Sequence, residues 1–149
     1  MKKQLLMALT SLAFASAAHA HDEGHGPKVS DTGKYGGLVS GVVQKSDADK
    51  GADAELVYKS ELSRATDTVR VYLYDKDMKP LDLKGFEKKA EAILAAKVKG
   101  KWKDVKFPLE LKGQAFEGKM PKADAKPYNI DVTLKKDGKE LLTAFDNLD

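Results

Sequence analysis

From Tyr35 onward the chain is dominated by short runs of alternating apolar and polar residues, each closed by turn-forming residues. Val69-Arg70-Val71-Tyr72-Leu73-Tyr74 is the cleanest, with Val69, Val71 and Leu73 on one side. A period of two sends successive side chains to opposite faces, so such a run buries one face only as a member of a sheet. Leu56, Tyr58 and Leu62 share a face of an earlier run. Val105, Phe107, Leu109 and Leu111 share a face of a later one, as do Tyr128, Ile130, Val132 and Leu134. Turn chemistry separates the runs at 46–51, 75–80 and Lys136-Asp137-Gly138-Lys139, the last being a hairpin signal. Strands spaced roughly every 8–12 residues with turns between them suit a sandwich or barrel. The expected fold is all-β: an antiparallel β-sandwich, immunoglobulin- or transthyretin-like, of about seven strands.

Three stretches carry specific expectations. Residues 86–98 fit a helix through Phe86, Ala90, Ile93, Leu94 and Val98. They equally fit a strand through Ala90, Ala92, Leu94, Ala96 and Val98. The strand is preferred because Lys99-Gly100-Lys101 looks like a hairpin tip. Pro108 has no N–H to give a ladder, which assigns it to an edge. Residues 146–149 read as a tail.

What precedes the sheet is different in kind. Met1-Lys2-Lys3 is a short basic start, residues 5–18 are mostly apolar, and Ala18-His19-Ala20 is an A-x-A cleavage site. The apolar run is too short to span a bilayer, so residues 1–20 read as a cleavable signal peptide and the protein as periplasmic or secreted. Residues 21–34 are polar, with several Gly and almost nothing to bury, and read as a flexible His-containing leader. Residues 35–149 form the sandwich domain. Because the leader lacks core residues, its removal is expected to change stability by less than about 1 kcal/mol.

Composition narrows the function. Removing 20 of 149 residues leaves enough chain for one domain with its own core. Lys2 and Lys3 leave with the signal, so 26 basic residues fall to 24 against 23 acidic ones, a net charge near +1. That balance points away from nucleic acid as a partner. Arg64 and Arg70 are the only arginines. Cysteine is absent, so the domain holds together without disulfides and has no lipid-attachment cysteine. No second apolar run of spanning length follows the signal.

Candidate chemistry gathers at the new N-terminus. Cleavage after Ala20 frees the α-amine of His21, which can chelate one ion together with its own imidazole. Nitrogen donors in that arrangement suit Cu(II), which also heads the divalent affinity order. His25 offers a second imidazole after the pliant Gly24, and Asp22 or Glu23 a carboxylate. Copper is the expected metal and zinc the alternative. Met78 and Met120 are soft donors that suit packing as well as Cu(I). Asp47-x-Asp49-x-Gly51-x-Asp53 begins like a calcium loop but has Tyr58 where the closing Glu belongs, and so reads as an acidic turn. Lys97, Lys99, Lys101 and Lys103 alternate, with Val98 and Trp102 opposite, and suggest a lysine face that keeps a strand from pairing with neighbours. With no Cys, and every mature histidine within the first few residues, no nucleophile has a base in the folded body, so the sequence does not point to an enzyme.

Two resemblances bear on this. The Ala-His-Ala-His start, running into His25-Gly26-Pro27-Lys28-Val29-Ser30, resembles the start of periplasmic copper-resistance β-sandwich proteins. There the terminal histidine ligates Cu(II), and the likeness covers the leader. The mature chain is also similar to small exported proteins in which a His-Gly leader precedes a sandwich, some of them associated with heavy-metal efflux. Tyr35-Gly36-Gly37-Leu38-Val39, Ala54-Glu55-Leu56-Val57, residues 69–80 and Phe116-Glu117-Gly118-Lys119 carry that second likeness. It implies a metal-associated periplasmic accessory protein whose partner is a metal-efflux or envelope protein. The alternative is a metal-independent envelope protein that binds another protein or the cell surface, supported by the lysine face and by Tyr72 and Tyr74 as exposed strand aromatics.

Overall fold

A computed structural model describes residues 26–149. Eight strands follow in order: β1 Leu38–Gln44, β2 Tyr58–Ala65, β3 Thr68–Tyr74, β4 Lys89–Val98, β5 Lys101–Lys112, β6 Ala115–Lys119, β7 Tyr128–Lys136 and β8 Lys139–Leu148. A 3-10 helix, Lys45–Asp53, links β1 to β2. Every neighbouring pair is antiparallel, and the order β1-β2-β3-β6-β5-β4-β7-β8 closes on itself. The all-β, antiparallel expectation therefore stands, but the seven-strand sandwich gives way to a closed eight-strand barrel.

The closing strand is β8. Leu141, Leu142 and Thr143 pair with Leu134, Thr133 and Val132 of β7 on one side and with Gln44, Val43 and Val42 of β1 on the other. The strand runs through the residues expected to be a tail, because Leu148 is buried opposite Tyr128. The sandwich still leaves a trace. The β1–β8 and β5–β6 seams have only three residue pairs each and lie at opposite points of the ring. Two four-stranded halves are thus joined edge to edge, as in a sandwich whose edges have been stitched.

Pro108 explains one short seam. The β5–β6 ladder ends at Glu110–Glu117, and Pro108 two residues on has no N–H to extend it. Gly118 passes so close to the Pro108 carbonyl that a Cβ there would collide with it. On its other side Pro108 pairs with Glu91 of β4, so it is edge-like on one flank only.

Residues 89–98 form a strand, and its inward row is Ala90, Ala92, Leu94 and Ala96. These small side chains meet Phe107, Leu109, Ile130 and Val132 in a single core that also takes in Val69, Val71, Leu73 and Phe116. The hairpin turns obey their chemistry. Asp137-Gly138 and Lys99-Gly100 have positive φ at both central positions, the type I′ geometry that matches strand twist. Leu81 and Leu83 pack against the core without joining a strand. No helix among the described residues is long and apolar enough to cross a membrane.

The stretch from Gly26 to Gly37 lies along the outside of the barrel. Gly26 lies near Val43, and Gly41 of β1 sits beneath Pro27 and Leu56, where a Cβ would stand 3.2 Å from the Pro27 carbonyl. Asp31 forms an ion pair with Lys59 of β2 at 2.7 Å. The boundary drawn at residue 34 by composition therefore cuts through a set of contacts with the sheet.

Candidate functional site

The end of that outer segment is Gly33-Lys34-Tyr35-Gly36-Gly37, and beneath it lies Glu61. In β2 the inward residues are Ser60, Leu62 and Arg64, opposite Leu73, Val71 and Val69 of β3. Glu61 therefore points outward, opposite Tyr72, yet it is 0 % exposed because the loop covers it. Its carboxylate accepts hydrogen bonds from the amides of Lys34 at 2.9 Å, Tyr35 at 2.8 Å and Gly37 at 2.8 Å, and from the Tyr74 hydroxyl at 2.7 Å. A buried carboxylate is costly without such partners and stable with them.

The electrostatics follow. Burial alone would push the Glu61 pKa up, but the Tyr74 hydroxyl and the amides of Gly37, Tyr35 and Lys34 outweigh it and hold the group below its ordinary value. Tyr74 moves the opposite way: burial, then the adjacent Glu61 carboxylate, pushes its phenol well above the usual range. The Lys34 ammonium lies 5.5 Å from the centre of the Tyr74 ring.

The glycines are required by this geometry. A Cβ on Gly33 would strike Glu61 Oε1, and one on Gly37 would strike the Leu62 carbonyl. Gly36 has φ +72°, a left-handed conformation that ordinary residues adopt at a cost. The locked loop holds Tyr35 outward, 56 % exposed, with its ring stacked on Tyr72 at 3.9 Å and 14°. Tyr74 is thus not the exposed aromatic the alternation suggested, since the loop and Glu61 bury it. Tyr72 is half-buried beneath Tyr35.

Beside the loop a groove of about 1110 Å³ opens at one end of the barrel. Buried Leu62, Tyr128 and Leu148 line it together with exposed Leu38 and half-buried Met120. Arg64 also lines the groove; its Nη1 donates to the Tyr128 hydroxyl at 2.6 Å and to the main-chain oxygen of Asp149 at 2.9 Å. Lys122 and Lys126 are exposed groove residues with no ion pair among the described residues, whereas Lys119 pairs with Asp67. Tyr35 and Leu38 are the exposed large hydrophobics of the described chain, and both line this groove.

The metal candidates His21, Asp22, Glu23 and His25 lie outside the described residues. Among the described residues no group of three or more His, Asp and Glu side chains is arranged to hold a metal ion. Met78 sits in the turn after β3 with φ +61°, and Met120 packs against the core beside the groove. Asp47, Asp49 and Asp53 fall on the 3-10 helix, where Asp47 pairs with Lys50. Asp75 Oδ1 accepts the amides of Asp77 and Lys79, which is turn chemistry.

The lysine face divides in two. In the β4–β5 hairpin Lys97 pairs with Trp102 and Val98 with Lys101, so Lys97 shares a face with Trp102 while Lys101 and Lys103 take the other. A two-residue loop makes odd positions on one strand face even positions on the next, which a simple count along the chain overlooks. Lys103 is held by Asp124.

Sequence reasoning missed the Glu61 lock altogether. Its signals were the spacing Gly33-x-x-Gly36-Gly37 and a lone Glu in an otherwise good strand, 24 residues beyond Gly37. Nothing in one dimension says that they meet.

Fold and surface together define a small closed antiparallel β-barrel with a glycine-framed outer loop and an end groove. Comparison of the chain with protein-family models, with curated proteins and with solved structures gives no match.

Proposed function

We propose that the protein is an exported metal-binding accessory protein, with copper as the metal its N-terminal chemistry suits best and zinc as the alternative. The observation that carries this reading is histidine placement. All three histidines precede Gly26, and two of them, His21 and His25, directly follow an A-x-A site. The freed α-amine and imidazole of His21 supply nitrogen donors of the kind Cu(II) prefers, with His25 and the carboxylates of Asp22 or Glu23 as further ligands. His25 is joined directly to Gly26, which lies beside Val43 on the outside of the barrel. Its partner would be a periplasmic metal-efflux or envelope protein.

The test is titration of correctly processed protein with Cu(II), beside the His21→Ala variant. The reading expects a marked loss of affinity in the variant and weaker binding as the pH falls, because both ligands must be deprotonated. Equal affinity of the two proteins refutes it.

One observation favours a second reading, that of a metal-independent envelope protein using the barrel surface. A buried carboxylate and three glycines hold an exposed tyrosine rigidly at the rim of a groove, which is how binding anchors are built. Under this reading Tyr35→Ser, and not His21→Ala, weakens association with the envelope fraction.

A further inference from the structure

The barrel-end groove sets Leu38 and Met120 beside a guanidinium that is positioned but not saturated by the described residues. We infer that it binds a long-chain carboxylic acid, with the carboxylate on Arg64 and the acyl chain along Leu62, Leu38 and Met120. This rests on the second reading above, that the barrel end is a binding surface, and is independent of any metal.

The argument starts from Arg64. Among the described residues its hydrogen bonds, to Tyr128 and to Asp149, leave from Nη1. Nε and Nη2 have no partner among the described residues, and these two N–H groups form the side-on fork that matches a carboxylate. The Tyr128 ring, with its centre 5.7 Å from the guanidinium carbon, helps hold the group in place. An arginine fixed at the mouth of a barrel, when the chain has only one other, is a specific placement.

Charge and polarity then choose the ligand. The groove carries Arg64, Lys119, Lys122 and Lys126 against the side chains of Asp67 and Asp149 and the main-chain carboxyl of Asp149 that Arg64 already contacts, and Lys119 pairs with Asp67. The remaining excess, Lys122 and Lys126 against the Asp149 side chain, is positive and lies near exposed Leu38 and half-buried Met120, so the complementary molecule is an anion with an apolar tail. A peptide is less well served. It needs free main-chain donors and acceptors, and those of the walls are largely spent. β2 and β3 stay paired to Ala65–Thr68, Tyr128 pairs with Leu148, the Met120 amide donates to Asp67 and the Gly37 amide to Glu61. The volume, about 1110 Å³, holds an acyl chain with room to spare.

The experiment uses cis-parinaric acid, a fluorescent fatty acid, titrated into processed protein in EDTA-containing buffer, with palmitate, methyl palmitate and a hydrophobic peptide bearing a free C-terminal carboxylate as competitors. Saturable fluorescence that palmitate displaces and methyl palmitate does not is the expected result. Arg64→Gln should weaken binding about tenfold or more, and Arg64→Lys, which keeps the charge but loses the fork, should also weaken it. Circular dichroism checks that both variants are folded, and Lys106→Gln on another face should bind as wild type. Equal displacement by acid and ester, or unchanged affinity in folded Arg64→Gln, overturns the assignment of the carboxylate. Displacement by the peptide but not by palmitate overturns the fatty-acid assignment while leaving the barrel end a binding surface. Absence of saturable binding by any of these probes overturns both.

Discussion

Tyr74 donates its hydroxyl to Glu61 at 2.7 Å on the outside of the barrel, where both side chains would face water if the 33–37 loop did not cover them. The pair ties the loop to β2 and β3 at once, since three loop amides share the same carboxylate. Glu61→Gln keeps the shape but removes the charge and turns an acceptor into a donor facing an amide. We expect a loss of about 3 kcal/mol, seen in urea unfolding at neutral pH.

The same pair sets an acid limit. The folded-state pKa of Glu61 lies below its ordinary value of 4.5, so its contribution is fully present above that value and is lost as the pH falls through the depressed folded value. Wild-type stability should therefore drop by more than that of Glu61→Gln as the pH falls below 4.5, and the two should converge. Curves that stay parallel from neutral to acid pH would contradict the lock.

At alkaline pH the sign reverses. The Tyr74 pKa is raised above the ordinary 10.0, first by burial and then by Glu61. Its contribution is complete below that ordinary value and is lost as the pH rises towards the raised folded value. In a spectrophotometric titration of the folded protein, Tyr74→Phe should remove an ionisation that occurs above the ordinary tyrosine range. Tyr74→Phe should also cost about 1–2 kcal/mol at neutral pH, because Glu61 loses a donor while buried.

The loop glycines separate steric from conformational cost. Gly37→Ala drives a Cβ into the Leu62 carbonyl, main chain against main chain, which nothing nearby can relieve. Gly36→Ala meets open space and carries only the left-handed backbone penalty, about 1 kcal/mol. Thermal melts should place Gly37→Ala well below Gly36→Ala, by roughly 2 kcal/mol or more.

The inner surface of this barrel was legible in the sequence and the outer surface was not. Val69, Val71, Leu73, Ile130, Val132 and Leu134 announce their face by alternation, because burial against one core imposes a period of two. Residues 86–98 fit both periods, because Ala suits a helix as well as the narrow inside of a sheet, and only the Lys99-Gly100-Lys101 hairpin tip points to the strand that forms there. Closure was hidden because it depends on β8 laddering on both flanks, a property of register and not of any one residue. Glu61 and Tyr74 read as ordinary outward strand residues, and only the third dimension lays residues 33–37 over them. The metal candidates rest on residue type and on the A-x-A pattern alone, and they lie outside the described residues.

Two truncations divide fold from metal chemistry. Beginning the chain at Gly26 removes His21 and His25 but keeps every contact described on the outer face. Its melting temperature should match that of the processed protein in metal-free buffer, and its Cu(II) binding should be lost. Beginning at Tyr35 removes Asp31, which pairs with Lys59, and Lys34, whose amide serves Glu61, and it replaces the Tyr35 amide with a charged terminus. That chain should be less stable by about 2 kcal/mol, more than composition alone suggested for so polar a segment. As a reference for true core loss, Val71→Asp places an unpaired carboxylate at a position 0 % exposed and should cost several kcal/mol more than either truncation. If the chain beginning at Tyr35 melts with the one beginning at Gly26, the outer segment does not hold the barrel, and Glu61 must find its donors in water.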